Sequence, residues 1–195
     1  NMGCNAPILV DPERKGIKNC EETKVRASHA VDMIEKIKEC SIENAIFNAG
    51  RFIKEAGAEA VKLEGGTAYT AQIKAIIDAG IPVMGHVGLQ PQSYHLNSGY
   101  RIQGKTTIEA EKILEDALSV QESGAFSVVL EGIPINLAKK ITNALDIPTI
   151  GIGAGLECDG QIQVYHDILG LYNEITPKHS KQYINLELKI QQALL

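Results

Sequence analysis

The chain has 195 residues, of which 44% are hydrophobic and 22% are charged, and this is an ordinary composition for one globular domain with a sizeable core. Its net charge of −5 argues against a general nucleic-acid surface, which needs clustered Lys and Arg, so we expect a small-molecule partner. No run approaches the roughly 20 apolar residues that span a membrane, and the start carries no signal pattern, so we expect a cytoplasmic protein without membrane contact.

The cysteines are too scattered to define a disulfide framework or a zinc site. They show neither Cys-x-x-Cys spacing nor a nearby histidine at zinc-ligand intervals. We therefore expect reduced thiols at all four positions, Cys4, Cys20, Cys40 and Cys158.

Residues 1–40 differ in character from the rest of the chain. Pro7–Val10 is a possible strand, and Glu21–Glu39 is highly charged with apolar residues roughly on one face, which predicts a surface helix. We therefore divide the chain into a divergent N-terminal segment, 1–40, and a main portion, 41–195.

From Ser41 onward, helix and strand patterns alternate. Ser41 is a predicted N-cap, because an apolar helical face begins directly after it. The further predicted helices are Tyr69–Ala79, Ile108–Gln121 and Leu137–Leu145. The predicted strands are Ala60–Glu64, Ile81–His86, Phe126–Glu131, Pro148–Gly151 and, more weakly, Gln161–Tyr165. This order indicates parallel strands joined by crossover helices, an α/β protein.

One sequence pattern occurs twice in the main portion. "EAGAEAVKLEGG", 55–66, is echoed by "ESGAFSVVLEGI", 122–133, and "IPVMG", 81–85, is echoed by "IPTIG", 147–151. A repeated pair of strand–helix units favours a TIM (β/α)₈ barrel over the competing doubly wound sheet, because equivalent strands occupy equivalent places around a ring. Eight units need roughly 260 residues, whereas five to six fit here. We therefore expect a barrel that is incomplete at its N-terminus, with further residues or a partner closing the ring.

Charged residues stand at the ends of the predicted strands, where barrel enzymes hold their chemistry. Lys62 and Glu64 alternate with apolar neighbours and so share the face that opens to the barrel mouth; the alternatives are a buried ion pair or a helix-capping carboxylate. Glu131 holds the position of Glu64 in the repeat, but Val129 replaces Lys62. We therefore expect an apolar setting that raises the Glu131 pKa and suits it to proton transfer.

His86 stands at the end of its strand, where a long connection begins. It could bind or polarise a substrate oxygen, or be a structural histidine bonded to backbone. The connection, within Pro82–Gly104, is long enough to suggest a functional loop, in which Tyr94, His95 and Tyr100 are expected to serve packing.

Six motifs together resemble one enzyme family. They are "AVKLEGG", "PVMGHVGLQPQS", "GYRIQGKT", "LEGIP", "IPTIGIGAG" and "DGQIQVYHDILGL", and they run in order from about Ser41 to the C-terminus. The resemblance is to the ketopantoate hydroxymethyltransferases. It implies a (β/α)₈ barrel that uses Mg²⁺ and 5,10-methylenetetrahydrofolate to add a hydroxymethyl group to the α-keto acid 3-methyl-2-oxobutanoate, giving 2-dehydropantoate for pantothenate biosynthesis. It also implies a homo-oligomer, usually a decamer.

The resemblance implies a role for each of the four residues. Lys62 would contact the keto acid, His86 would line the substrate site, Glu64 would help to hold the metal, and Glu131 would accept the proton. A base beside a positive charge is the combination that forming an enolate requires.

The N-terminal segment departs from the family pattern. Two metal-binding aspartates of the family are not recognisable in 1–40, and Asp11 lies too far from Ser41 to match either of them. Two alternatives therefore stay open: a non-catalytic remnant that serves as a binding or assembly module, and a related Mg²⁺-dependent keto-acid lyase of the phosphoenolpyruvate mutase type.

Overall fold

The computed structural model describes residues 9–10, 41–91, 101–171, 177 and 179–194, with the backbone alone at 9–10. The predicted helix Glu21–Glu39, Asp11, Tyr94, His95 and Tyr100 lie outside these residues. The strands are β1 (Leu9–Val10), β2 (Val61–Glu64), β3 (Val83–Gly88), β4 (Ser127–Glu131), β5 (Thr149–Ile152) and β6 (Gly160–Gln161). The helices are α1 (Ile42–Ala56), α2 (Thr70–Asp78), α3 (Thr107–Glu122), α4 (Ile135–Ala144), α5 (Tyr165–Leu169) and α6 (Leu186–Leu194).

The capping of α1 confirms the predicted N-cap at Ser41. The Ser41 side chain accepts a hydrogen bond from the Asn44 amide at 3.4 Å. The helix ends at Gly57, whose φ of 66° is left-handed and whose N–H donates to the Phe52 carbonyl. Local signals therefore fix both ends of α1.

The start of α3 is fixed by a reciprocal cap. The Thr106 hydroxyl accepts from the Glu109 amide at 3.3 Å, and the Glu109 carboxylate accepts from the Thr106 amide at 3.2 Å. This capping box satisfies amides that the first turn leaves without helical partners.

The sheet runs in the order β1-β6-β5-β4-β3-β2, and β2 to β6 are parallel. Successive strands lie side by side without a reversal, whereas a doubly wound sheet reverses at its switch point. Because right-handed crossovers then run in one direction, the crossover helices α2, α3 and α4 lie on one face, which α1 also covers. The α/β class with parallel strands is thus confirmed with the winding of a barrel, and closure into a ring stays a prediction.

The two faces of the sheet have different cores. The larger core joins α1, α2, α3 and α4 to alternate strand residues: Val61, Leu63, Val83, Val87, Val128 and Leu130. The smaller core lies on the opposite face and is built around Met84, Val129, Ile150 and Ile152. Among the described helices, none combines the length and apolarity needed to cross a bilayer.

Two predicted strands differ from the structure. The predicted strand Gln161–Tyr165 is wrong beyond Gln161, because Tyr165 already begins α5 after Val164. Within the predicted strand Pro7–Val10, β1 pairs antiparallel with β6, Leu9 opposite Gln161. Because its pairing is antiparallel, β1 is not one of the parallel barrel strands that the sequence suggested. An antiparallel strand at the edge of an otherwise parallel sheet is common.

Candidate active site

The candidate site lies on the sheet face opposite helices α1 to α4. Val61 and Leu63 pack in the larger core, so Lys62 and Glu64 point to the opposite face, as their alternation predicts. The register pairs Glu64 with His86, and it pairs Gly88 with Glu131. The ends of β2, β3 and β4 therefore bring all four predicted residues to one face of the sheet.

His86 is the centre of this group. Its Nδ1 atom lies 3.0 Å from Lys62 Nζ and 3.5 Å from Glu64 Oε1, and its Nε2 atom lies 3.1 Å from Glu131 Oε2. Lys62 Nζ is also 3.6 Å from Glu64 Oε1. The four side chains thus form one cluster of ionisable groups across three strands.

Burial differs sharply among the members of the cluster. His86 and Glu64 are 1% and 3% exposed, whereas Glu131 is 19% and Lys62 is 31% exposed. Ionisable side chains are rarely buried unless they are paired, and here each lies beside another member. The exposed members, Lys62 and Glu131, are therefore the ones that a ligand would meet first.

The surroundings of Glu131 differ from the sequence expectation. The register pairs Glu131 with Ile152, which supplies the expected apolar contact on one side. The His86 ring on the other side makes the setting partly polar. The repeat showed that Val129 of β4 stands where β2 has Lys62. It could not show that the neighbouring strand β3 contributes His86 to this position.

The glycines after Glu64 allow the chain to turn tightly at the site. A Cβ atom on Gly66 would lie 2.1 Å from the Asp116 side chain, so only glycine fits there. Asp116 Oδ1 accepts hydrogen bonds from the Thr67 amide at 2.8 Å and from the Thr67 hydroxyl at 2.9 Å. Sequence reasoning missed this anchor, because Asp116 lies in the middle of α3 and shows no local motif.

The described residues do not form a magnesium site by themselves. They contain no group of three or more His, Cys, Asp or Glu side chains that could hold a metal ion. Mg²⁺ requires near-octahedral oxygen coordination, and Lys62 and His86 already lie against one Glu64 oxygen. The metal role predicted for Glu64 therefore stays a prediction.

The fold and the cluster define an α/β protein with a singly wound parallel sheet and a buried acid–histidine–lysine group at the strand ends, the location at which barrel enzymes work. The chain belongs to the ketopantoate hydroxymethyltransferase family, whose model matches residues 12–195. The match begins well before Ser41, where the recognisable motifs start.

The chain is similar to curated relatives named 3-methyl-2-oxobutanoate hydroxymethyltransferase. The protein of Clostridium beijerinckii is 57% identical over 154 residues, which cover 79% of this chain and 56% of the relative. The protein of Geobacter sulfurreducens is 50% identical over 188 residues, covering 96% and 70%. The chain thus spans little more than half the length of the Clostridium relative.

Solved structures resemble the fold only loosely. A putative phosphonomutase from Burkholderia cenocepacia J2315 superposes with a TM-score of 0.46 at 15% identity, covering 80% of this chain and 64% of that one. A superposition this loose carries no argument about function.

Proposed function

We propose that the protein transfers a hydroxymethyl group to 3-methyl-2-oxobutanoate and that the reaction begins by enolisation of the keto acid. The carrying observation is the cluster itself, in which a partly exposed carboxylate and a partly exposed ammonium flank the buried His86. A base and a cation on one face are what removal of a proton beside a ketone requires. Family membership supplies the substrate.

Glu131 is the proposed base. Its carboxylate would take the proton from C3 of the keto acid while the electron pair of that C–H bond moves to form the enolate. At 19% exposure the carboxylate is accessible to a ligand, yet bulk water around it is limited. Limited access of water strengthens the electrostatic interactions that stabilise the charge developing on the enolate.

Lys62 is the proposed partner of the substrate carboxylate. An ammonium carries three N–H donors, and the 3.0 Å contact with His86 occupies one of them. With 31% of its side chain exposed, Lys62 retains donors that can reach a bound anion. Pairing at this point would hold C3 of the keto acid on the cluster's open side.

Four further parts of the proposal rest on the family alone. They are Mg²⁺ with Glu64 as one oxygen ligand, 5,10-methylenetetrahydrofolate as the one-carbon donor, assembly into a homo-oligomer, and a cytoplasmic location. Light scattering on the purified chain tests assembly, and a monomer would remove that part. If a chelator leaves enolisation unchanged, the metal is not required for this step.

The enolisation step is tested by deuterium exchange. The full chain is incubated with Mg²⁺ and 3-methyl-2-oxobutanoate in heavy water, and loss of the C3 proton is followed by NMR. We expect exchange with wild type and a loss of about 10²- to 10⁴-fold in Glu131→Gln, the range for removal of a general base.

Glu122→Gln is the matched control for this test. Glu122 is the exposed last residue of α3, outside the cluster, so its variant should exchange at the wild-type rate. No exchange from well-folded wild type would refute the enzyme proposal and favour the non-catalytic remnant. If exchange occurs, product analysis with the folate donor separates transfer, which yields 2-dehydropantoate, from the cleavage expected of a keto-acid lyase.

A further inference from the structure

We infer that His86 is a positioning residue for Glu131 and that Lys62 enables this role by fixing the His86 tautomer. This inference deepens the proposed function and rests on it for the role of Glu131 as base. It differs from the substrate contact that the sequence suggested for His86, because the ring acts on another side chain.

The tautomer follows from the contacts of Nδ1. A lysine ammonium can only donate, so the 3.0 Å contact with Lys62 Nζ requires Nδ1 to accept. The competing arrangement, with Nδ1–H donating to Glu64 Oε1, has a separation of 3.5 Å, beyond the usual 2.7–3.2 Å for N–H···O bonds. The shorter contact favours the neutral ring with its proton on Nε2.

The proton on Nε2 then faces Glu131. Nε2 is buried and makes no hydrogen bond within the described part of the chain, although Glu131 Oε2 lies only 3.1 Å away. The separation is that of a hydrogen bond, and only the alignment is lacking. Because an unsatisfied buried donor is costly, a small turn of the more exposed Glu131 carboxylate to accept this proton is favourable.

The ring itself cannot easily make the adjustment. His86 is 1% exposed and lies in β3, whose neighbours β2 and β4 pair with it on both sides. Both ring nitrogens face protein side chains, Lys62 and Glu131, which leaves neither aimed at a ligand. A buried donor beside a more exposed carboxylate would hold the base in one orientation for C3.

Two substitutions at His86 separate the functions of its ring nitrogens. The amide nitrogen of His86→Gln can take the place of Nε2–H and donate to Glu131. The shorter His86→Asn can meet Lys62 at the Nδ1 position but does not reach Glu131. Positioning therefore predicts different behaviour for the two amide variants, whereas a general packing role does not.

Exchange kinetics give the functional readout. We expect His86→Asn to lower kcat of deuterium exchange about a hundredfold with little change in KM, because a misplaced catalytic group costs about this much. His86→Gln should stay within about tenfold of wild type, since its donor remains. Equal kcat losses in two folded variants, or a loss confined to KM, would overturn the positioning role.

The tautomer is tested independently of activity. Long-range ¹H–¹⁵N spectra distinguish the two neutral tautomers, and the signal absent from His86→Gln identifies His86. We expect Nε2–H in wild type and a shift toward Nδ1–H in Lys62→Met, where Glu64 is left as the carboxylate beside Nδ1. Nδ1–H in wild type, or an unchanged tautomer in Lys62→Met, would overturn the inference. If wild type shows no deuterium exchange at C3, the enzyme proposal is refuted, but the tautomer of His86 is still measured by these spectra.

Discussion

His86 and Glu131 approach to 3.1 Å across β3 and β4 although they are not register partners. His86 pairs with Val129, and Glu131 pairs with Gly88, so the two side chains meet diagonally. Diagonal neighbours on one sheet face lie within reach only when the side chains are long. The two glutamates of the repeated sequence pattern thus both contact His86, Glu64 at Nδ1 and Glu131 at Nε2.

The first prediction concerns binding of the keto acid by Lys62. Lys62→Met removes the cation that the proposal pairs with the substrate carboxylate. A charge-assisted hydrogen bond contributes about 1.5–3 kcal/mol, so we expect affinity to fall about tenfold to a hundredfold. Calorimetric titration with 3-methyl-2-oxobutanoate measures this directly.

Lys74→Met is the control for that titration. Lys74 is well exposed on α2 and pairs with Asp78 at 3.3 Å, so its loss changes the net charge equally without touching the cluster. Unchanged affinity in Lys62→Met, or an equal loss in Lys74→Met, would contradict a specific contact.

The second prediction concerns the stability that Glu64 provides. Glu64→Gln removes the carboxylate charge at a position that is 3% exposed, where Lys62 and His86 both face it. We expect a loss of about 1–3 kcal/mol in the free energy of unfolding, the cost of leaving buried polar groups poorly satisfied. Denaturant titration measures the loss. The exposed Glu59→Gln should stay within about 0.5 kcal/mol of wild type. A Glu64→Gln variant as stable as wild type would show that the cluster does not depend on this charge.

Much of this arrangement could be predicted from the sequence because its causes are local. Strand alternation was enough to assign Lys62 and Glu64 to one face, and a serine before an apolar helical face was enough to predict the start of α1. The repeat matched β2 to β4 and β3 to β5, and the structure confirms that the two strands of each repeated unit pair in parallel, β2 with β3 and β4 with β5.

The rest depends on contacts between distant segments, which no local pattern encodes. The meeting of His86 with Glu131 requires the register of two strands, and the anchoring of Thr67 requires Asp116 from α3. The end of the weak strand at Gln161 was missed because "IQVY" has a strand-like composition, while the chain turns into α5 at Tyr165.

The third prediction is a pH dependence on the surface of α1. Arg51 donates from Nε and from a terminal nitrogen to the two oxygens of Glu55, each at 2.9 Å. These hydrogen bonds lower the pKa of Glu55. A lowered pKa in the folded state stabilises the fold above the unfolded-state pKa, and this contribution is lost as the pH falls through the folded-state pKa. NMR titration should therefore show a higher Glu55 pKa in Arg51→Met than in wild type and no change in Lys74→Met. An unchanged Glu55 pKa in Arg51→Met would contradict the pairing.

The last prediction concerns the contact that brings α3 against the strand of His86. Gly85 precedes His86 and faces the helix layer, where an added Cβ atom would lie 2.2 Å from Val120 Cγ1. Gly85→Ala should therefore cost about 1–3 kcal/mol through overpacking. Val120→Ala should cost a similar amount, because it removes two buried methyl groups.

The double variant Gly85→Ala/Val120→Ala tests whether contact with Val120 causes the loss of stability in Gly85→Ala. Removing the Val120 methyl groups leaves room for the new Cβ atom. We therefore expect the double variant to lose at least about 1 kcal/mol less stability than the two single variants together, because substitutions at residues in contact are not additive. Denaturant unfolding of the four proteins gives this coupling free energy. Costs that add within about 0.5 kcal/mol would mean that Gly85 is required for a reason other than Val120. Because Gly85 adjoins His86, a shift of β3 in Gly85→Ala should also slow deuterium exchange, and Val120→Ala should partly restore it.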